Sequence, residues 1–393
     1  MTALPQVLIA GDTLSIDELV KSAIKAHPQE WEGLIVESHD DSSRSNSAEL
    51  SPPRISFRWD EIPHESTISG AKERRVGISQ EIDFPAKYIW RSRMANFALE
   101  RERLGTYRTA RDALLELKLL VLRSWSLQAQ TLIISEYVDT LKLLNARIVQ
   151  SNRLEEYSRL EVGKFELDLK VALASYESLK RTASESRSLL GDYIGADRAE
   201  YVIAEPIIEP FGANPRGEQD VTGTANPELQ AEQANLNRSQ ARLSAARWDW
   251  LPDFTLSYYD RTRLDKIDRD AWAFELEMSV PVWYWLGKRT EQEIAKTELR
   301  RARTEYEAVR INSLQQSMRY RQEYVIASDK LSFLRAHALP YAVEAYRMTK
   351  EAFAAGGSDF EDLLDAWKDL NEKRLEEIDL IFEAYRASLM LNP

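Results

Sequence analysis

Acidic side chains gather in a glycine-marked segment near the end of the chain. Four carboxylates follow Gly356 and Gly357, namely Asp359, Glu361, Asp362 and Asp365. Carboxylates clustered in one turn attract cations, but acids are also favoured at the start of a helix by the helix dipole. A similar segment earlier in the chain contains Gly163, Lys164 and Asp168. Both segments are predicted to be turns between helices, and for Asp168 and Asp362 we favour the helix-start interpretation.

No arrangement of residues predicts an enzyme. The histidines are scattered, and no Ser–His–Asp order stands out. Gly356-Gly357 lies between predicted helices instead of after a strand, where a phosphate-binding loop would lie. The chain has no cysteine and no histidines at metal-ligand spacing. We therefore predict a protein that is not an enzyme, has no metal centre and needs no cofactor.

Composition narrows the class of protein further. Of the 393 residues, 44% are apolar, so a disordered chain is not expected. There are 64 acidic and 52 basic residues, and the net charge of -12 argues against binding to nucleic acid. No segment is long and apolar enough for a transmembrane helix. Residues 1–11 lack the basic start and apolar core of a signal peptide, so the chain is expected to be cytosolic or to have lost its export signal.

Two segments alternate between apolar and polar residues, which is typical of strands with one buried face. They predict one hairpin over 53–84 and another over 252–284, with charged turns at 64–73 and 262–270. The apolar positions include Ile55, Phe57, Trp59, Phe254, Leu256, Tyr258, Trp272, Phe274, Leu276 and Met278.

A long segment of high helix propensity follows each hairpin. The predicted helices cover about 86–157 and 287–355, and Pro340 is expected to kink the second one. Helices of this length predict coiled-coil-like packing. Return helices are predicted over about 164–194 and 358–391, and another helix over 226–250.

The same order of elements occurs twice, which predicts an internal repeat. The first repeat covers 1–194 and the second covers 225–393. A connector over 195–224 is rich in proline, glycine and acidic residues, and it contains a possible short strand at 201–204.

This order resembles the outer membrane efflux protein family, the trimeric channel-tunnels typified by TolC. The motifs that carry the resemblance are Leu14–Val20, Asn226-Pro227-Glu228-Leu229, Leu251-Pro252-Asp253, Ser279-Val280-Pro281-Val282 and, after Gly356, Asp362-Leu363-Leu364-Asp365-Ala366. The resemblance implies a mainly α TolC-like fold with a small β part. Four strands cannot close a barrel, so it also implies a homotrimer with a twelve-stranded β-barrel and a coiled-coil α-barrel.

The resemblance also implies roles for particular residues. The apolar strand positions would face outer-membrane lipid, and the polar positions would face a water-filled lumen. Trp283, Tyr284 and Trp285 would form an aromatic belt at the membrane interface, although soluble core packing is the alternative. The turns with Gly163 and Gly356 would lie at the periplasmic aperture, where an adaptor docks and where the acidic residues would form rings in a trimer.

The function implied by the resemblance is a passive exit duct in the Gram-negative outer membrane that extends into the periplasm. It would export small molecules or metal ions with a periplasmic adaptor, the membrane fusion protein, and an inner-membrane pump. The strand Ser79-Gln80-Glu81-Ile82 with Lys87 resembles the heavy-metal branch, whose pumps are of the RND class. The alternative is a soluble or periplasmic coiled-coil scaffold or adaptor.

Overall fold

The computed structural model of the chain describes residues 12–27, 51–65, 67–152, 159–194, 201–208, 226–264, 269–279 and 284–391. The chain divides into two compact units. One contains Met1–Leu34, Thr109–Thr222 and Leu314–Pro393, and the other contains Ile35–Arg108 and Gly223–Ser313. Each unit therefore takes segments from both halves of the sequence. Most of the predicted connector, 209–224, lies outside the described residues.

Helices dominate the described segments, and strands form a small part. The strands are β1 (Asp12–Leu14), β2 (Arg54–Asp60), β3 (Glu73–Ile82), β4 (Tyr201–Ile203), β5 (Phe254–Arg263) and β6 (Ala271–Met278). The helices are α1 (Ile16–Ala26), α2 (Pro85–Asn152), α3 (Arg159–Ile194), α4 (Pro227–Trp248), α5 (Tyr284–Phe333), α6 (Leu339–Ala354) and α7 (Phe360–Leu391). The predicted fold class is confirmed, since each half has one hairpin followed by very long helices.

Local sequence explains where several helices begin. Ser15 caps α1, because its hydroxyl accepts a hydrogen bond from the backbone N–H of Glu18 while the Glu18 carboxylate accepts one from the Ser15 N–H. Asn226 caps α4 in a similar way, and Pro227 occupies the first turn, where its missing N–H costs nothing. The motif Leu14–Val20 resembles the opening helix of the family, but only part of it is helical: Leu14 belongs to β1, which pairs in parallel with β4, and α1 begins at Ile16.

The second long helix is interrupted near Pro340. A π-helical turn, Leu334–Ala338, separates α5 from α6 just before this proline. Arg335 in the turn donates hydrogen bonds to Glu377 at 2.6 Å and to Glu205 at 2.7 Å. The side chain of Arg335 thus ties the π turn to α7 and to the segment after β4.

The first unit has a core to which seven elements contribute, including β4 through Ile203 and α5 through Leu331. Its most deeply buried residues are Leu19 and Ala23 of α1, Val121 and Leu122 of α2, Leu190 of α3, Leu334 of the π turn and Ile381 of α7. A second cluster joins α2, α3 and α7 through Val138, Leu141, Phe165, Ala172 and Leu364. The second cluster lies near the turn between α6 and α7, because it contains Leu364 and packs against Phe360.

The second unit contains a four-stranded antiparallel sheet. The two hairpins lie side by side in the order β2–β3–β5–β6, with β3 and β5 as the central strands. The predicted turns were slightly too long: Glu73 and Thr262 belong to strands, because their backbones continue the β3–β5 ladder. Among the helices of the described segments, none has the length and apolarity that crossing a membrane requires.

Candidate functional site

The sheet of the second unit has one apolar face and one polar face. Residues that are directly opposite on neighbouring strands point to the same side, so the register assigns each residue to a face. The apolar face consists of Ile55, Phe57, Trp59, Val76, Ile78, Ile82, Phe254, Leu256, Tyr258, Trp272, Phe274, Leu276 and Met278, and it also carries Arg74, Gln80, Asp260 and Thr262. All ten predicted apolar strand positions therefore share this face.

The apolar face is largely open in the isolated chain. Trp272 is 69% exposed, Phe274 is 62% exposed and Leu276 is 61% exposed. Aromatic rings reinforce the surface: Phe57 stacks on Trp59 with centroids 6.5 Å apart, and Tyr258 stacks on Trp272 at 6.2 Å. An apolar surface of this extent on a soluble monomer is unusual and marks a contact with lipid or another protein.

On the polar face, a glycine makes room for a tyrosine ring. Gly77 of β3 lies between Ser56 and Tyr259, which are its neighbours in register. A Cβ atom at Gly77 would lie 2.3 Å from one ring carbon of Tyr259 and 2.6 Å from the next. The absence of a side chain at Gly77 lets the Tyr259 ring lie across the strand.

A buried carboxylate organises the charges at the turn end of the polar face. Glu73 is 3% exposed, and its oxygens lie 2.5 Å from Arg75, 3.5 Å from Arg263 and 3.9 Å from Arg261. Arg263 also binds Glu61 at 3.0 Å, and Arg75 lies 3.3 Å from Asp60. The sequence prediction missed this network because it placed Glu73 in a turn.

A second ion pair lies at the opposite end of the sheet. The Lys87 ammonium, in the first turn of α2, donates hydrogen bonds of 2.9 Å to both carboxylate oxygens of Asp253. Asp253 immediately precedes β5 and also accepts a hydrogen bond from the backbone N–H of Phe84. This pair fixes the start of α2 against the start of β5.

The first unit carries the predicted turn with Gly356. Gly356 has a φ of 74°, which favours glycine, and the N–H of Gly357 donates to the Ala352 carbonyl at 2.9 Å. Together with the bond from the Gly356 N–H to the Phe353 carbonyl, these contacts form a Schellman motif that ends α6. The chain then turns into α7 at Phe360.

Aromatic residues join this turn to α3. The ring of Phe360 packs edge-on against Phe165, with centroids 5.2 Å apart, and against Phe353 at 6.1 Å. The ammonium of Lys164 lies 2.9 Å from Glu361. We call these five residues the helical tip. Phe165 is 1% exposed, whereas Lys164 and Glu361 lie at the surface, so the rings provide most of the packing.

The predicted acidic residues have different environments. The Asp362 carboxylate accepts hydrogen bonds from the Ser358 hydroxyl at 3.1 Å and the Asp359 N–H at 3.4 Å, so the helix-start interpretation is correct for Asp362. It is wrong for Asp168, because α3 begins at Arg159. Gly163 is likewise helical, so the prediction of a turn at Gly163 was wrong.

Two of these acids act on a half-buried tyrosine. Burial raises the pKa of Tyr137 to about 12, and the negative charges of Asp168, Glu372 and Asp365 add to this effect. The Tyr137 ring also packs near Trp367, with centroids 6.4 Å apart. Within the described segments, no three His, Asp or Glu side chains are grouped so that they could hold a metal ion.

The predicted aromatic belt is only partly covered by the structure. Tyr284 and Trp285 are the first two residues of α5, and Trp283 lies outside the described residues. The belt therefore stays a prediction. Phe165 and Phe360 were not among the predicted site residues, although an aromatic residue follows the glycines in both glycine-marked segments.

Comparisons with known proteins agree with this architecture. Residues 224–392 match the family model "Outer membrane efflux protein". The cobalt-zinc-cadmium resistance protein CzcC of Cupriavidus metallidurans is 26% identical over 246 residues, which are 61% of this chain and 55% of that protein. The matched region thus spans about half the length of this relative.

Solved channel structures share the fold along nearly the entire chain. The outer-membrane channel OprN has a TM-score of 0.74 and 17% identity, covering 96% of this chain and 88% of its own. CusC has a TM-score of 0.74 and 12% identity, covering 99% and 94%. VceC of Vibrio cholerae has a TM-score of 0.71 and 13% identity, covering 96% and 94%. The family model thus matches the second half of the chain, and the solved structures show that the chain as a whole has the fold of these outer-membrane channels.

Proposed function

We propose that the chain is one subunit of a homotrimeric exit duct in the outer membrane of a Gram-negative cell. The duct extends into the periplasm and is passive, with no enzymatic activity of its own. A periplasmic adaptor and an inner-membrane pump supply the cargo and the energy. The observation that carries this proposal is the two-faced sheet, whose apolar face is open along all four strands.

The sheet needs other copies to be stable in lipid. In the described part of the chain, β2 pairs only with β3 and β6 pairs only with β5. Unpaired backbone N–H and C=O groups are very costly in a bilayer, so membrane sheets close into barrels. Three copies would contribute twelve strands, with the polar face lining a water-filled lumen.

The helical tip is our candidate for the periplasmic aperture and the adaptor contact. The glycine turn places Asp359, Glu361, Asp362 and Asp365 at the end of the α6–α7 pair. In a trimer each acid occurs three times around the axis, which would concentrate cations near the aperture. The pair between Lys164 and Glu361 and the ring contact between Phe165 and Phe360 would hold this end closed.

The heavy-metal branch is our choice of cargo class. The name of the relative CzcC, cobalt-zinc-cadmium resistance protein, refers to these three metals. An acidic aperture is compatible with cations of this kind. The pump that would supply metal ions in this branch is of the RND class.

The coiled-coil scaffold is the competing interpretation, and the exposed apolar face argues against it. A scaffold in water would be poorly soluble, because Trp272, Phe274 and Leu276 would stay exposed. Burial of such side chains in lipid stabilises each by about 1.5–3 kcal/mol.

Single cysteines on the two faces test the proposal, because the chain has no native cysteine. Phe274 and Glu275 are adjacent in β6 and lie on opposite faces. We would express Phe274→Cys and Glu275→Cys behind a cleavable export signal, attach an environment-sensitive bimane to each, and reconstitute both in lipid vesicles.

The duct predicts opposite quenching for the two labels. Bimane at position 274 should emit at shorter wavelength and be quenched by spin-labelled lipid, whereas bimane at position 275 should be quenched by aqueous iodide. Equal iodide quenching at both positions, with no effect of spin-labelled lipid, would favour the scaffold.

A further inference from the structure

The polar face of the sheet arranges its side chains in rows across the strands. The register gives five rows, counted from the turn end. The first row is Asp60, Glu73 and Arg263, and the second contains Arg58, Arg75 and Arg261. The third is Ser56, Gly77, Tyr259 and Ala273, the fourth is Arg54, Ser79, Ser257 and Glu275, and the fifth is Glu81, Thr255 and Glu277. Successive rows are about 7 Å apart, since each step is two residues. We call Arg58, Arg75 and Arg261 the arginine row.

One arginine of the row differs from the others in its ion pairs. Arg75 lies near Glu73 and Asp60, and Arg261 lies near Glu73. The side chain of Arg58 makes no ion pair or hydrogen bond with any described residue, and it lies exposed on β2. Its position directly opposite Arg75 is electrostatically unfavourable for the strand pair. Arg58 therefore adds a positive charge to this level of the polar face that no ion pair offsets.

The other end of the polar face is acidic. The last row contains Glu81 and Glu277, and Glu275 lies in the row before it. Arg54 is the basic residue at this end and lies 3.3 Å from Glu81. The sign of the charge thus changes along the strands, from acidic in the last row, next to the helices, to basic in the arginine row.

We propose that the arginine row makes the outer end of the lumen selective for anions over cations. This inference rests on the proposed function, which directs the polar face to the lumen and the strand turns to the outside. In a trimer the row becomes a belt of nine guanidinium groups, and rings of like charge determine which ions pass through a pore. The acidic rows nearer the helices would concentrate cations that arrive from the periplasm.

The distance over which the charges of the belt act on ions depends on the salt concentration. The Debye length is about 30 Å at 0.01 M salt and about 3 Å at 1 M. Charges on the lumen wall therefore influence the whole cross-section of a wide pore only in dilute salt. Selectivity should be strong in dilute KCl and vanish in 1 M KCl.

Reversal potentials of purified full-length trimers in planar bilayers, under a dilute KCl gradient, test the proposal. Arg58→Gln removes a charge that has no partner to leave unpaired, and we expect the chloride-to-potassium permeability ratio to fall by roughly twofold or more. Arg58→Glu should lower the ratio further. Glu277→Gln should raise it, because it removes charge of the opposite sign.

Arg74→Gln is the matched control. Arg74 lies on the neighbouring strand directly opposite Trp59, so it shares the apolar face. Its substitution removes the same charge from the outside of the barrel and should leave the permeability ratio unchanged. In 1 M KCl all variants should match the native protein.

The outcomes separate the two proposals. A conducting trimer whose permeability ratio is the same in the native protein, in Arg58→Gln and in Arg58→Glu would overturn the selectivity inference alone, as would an equal shift caused by Arg74→Gln. A native protein that forms no pore at all would overturn the proposed function and the inference with it.

Discussion

Lys87 and Asp253 form an ion pair that links a helix to a strand, with the Lys87 ammonium 2.9 Å from both carboxylate oxygens. The Lys87 side chain is only 4% exposed, and Asp249 lies 3.9 Å away as a second acid. The pair lies where α2 and β5 begin, so it fixes the sheet to the helices that continue from it. Its position indicates that it matters for stability more than for transport.

Replacing Lys87 by Met should therefore destabilise the protein. The substitution leaves the partly buried Asp253 without its main partner, and we expect a loss of about 1–3 kcal/mol in the free energy of unfolding. Lys142→Met is the control, because Lys142 forms an exposed pair with Asp139 at 3.0 Å; its loss should cost less than about 0.5 kcal/mol. Urea unfolding in detergent, followed by circular dichroism, measures both. Equal losses of unfolding free energy in the two variants would show that the buried pair stabilises the protein no more than an exposed pair does.

Gly77→Ala should destabilise the sheet by about 1–3 kcal/mol, because the new methyl group overlaps the Tyr259 ring. Adding Tyr259→Ala should recover much of this loss. Gly105→Ala is a control with the opposite sign: a Cβ there meets no atom within 4 Å, and alanine favours the helix interior by about 1 kcal/mol. Thermal unfolding of the four proteins distinguishes these effects. A neutral Gly77→Ala would mean that the ring moves freely.

Phe165→Ala should loosen the helical tip. Phe165 is fully buried against Phe360, and its truncation should cost about 3–5 kcal/mol of stability. Lys164→Ala removes the neighbouring exposed ion pair and should cost less than about 1 kcal/mol. If the tip also closes the pore, Phe165→Ala should increase single-channel opening in bilayers more than Lys164→Ala. The reverse order would assign closure to the ion pair.

Tyr137 provides a test by pH. Its pKa is raised to about 12 in the folded protein, compared with about 10 in an unfolded chain. Protonated Tyr137 therefore stabilises the fold fully below about pH 10, and this contribution is lost as the pH rises toward 12. The absorbance difference at 295 nm between the native protein and Tyr137→Phe should titrate near pH 12. A midpoint near 10 would contradict the burial of this hydroxyl.

The sequence predicts the strands well because period-two alternation is a local property. Ile55, Phe57 and Trp59 alternate with polar residues, and the register puts them on one face with their partners. The pairing of β3 with β5 does not follow from alternation, because it joins segments far apart in the chain. The ion pairs of Glu73 could not be predicted either, because they depend on this pairing: Arg261 and Arg263 lie on β5, whereas Glu73 lies on β3.

Helix boundaries were harder to predict near glycine. Gly163 and Gly356 both suggest turns, yet only Gly356 has the left-handed backbone conformation that makes glycine necessary. Gly163 lies inside α3, where the sequence around it still favours a helix. Contacts such as Phe165 with Phe360 depend on how distant helices pack, and no local pattern encodes that.

The mass of the membrane-extracted protein tests the central claim most directly. We would express the chain behind a cleavable export signal in a Gram-negative host, extract the outer-membrane fraction with detergent, and measure the protein mass by light scattering. The exit-duct account predicts a mass near three times the 45.2 kDa of one chain. A soluble monomer or dimer, with none of the exported protein in the outer membrane, would contradict it.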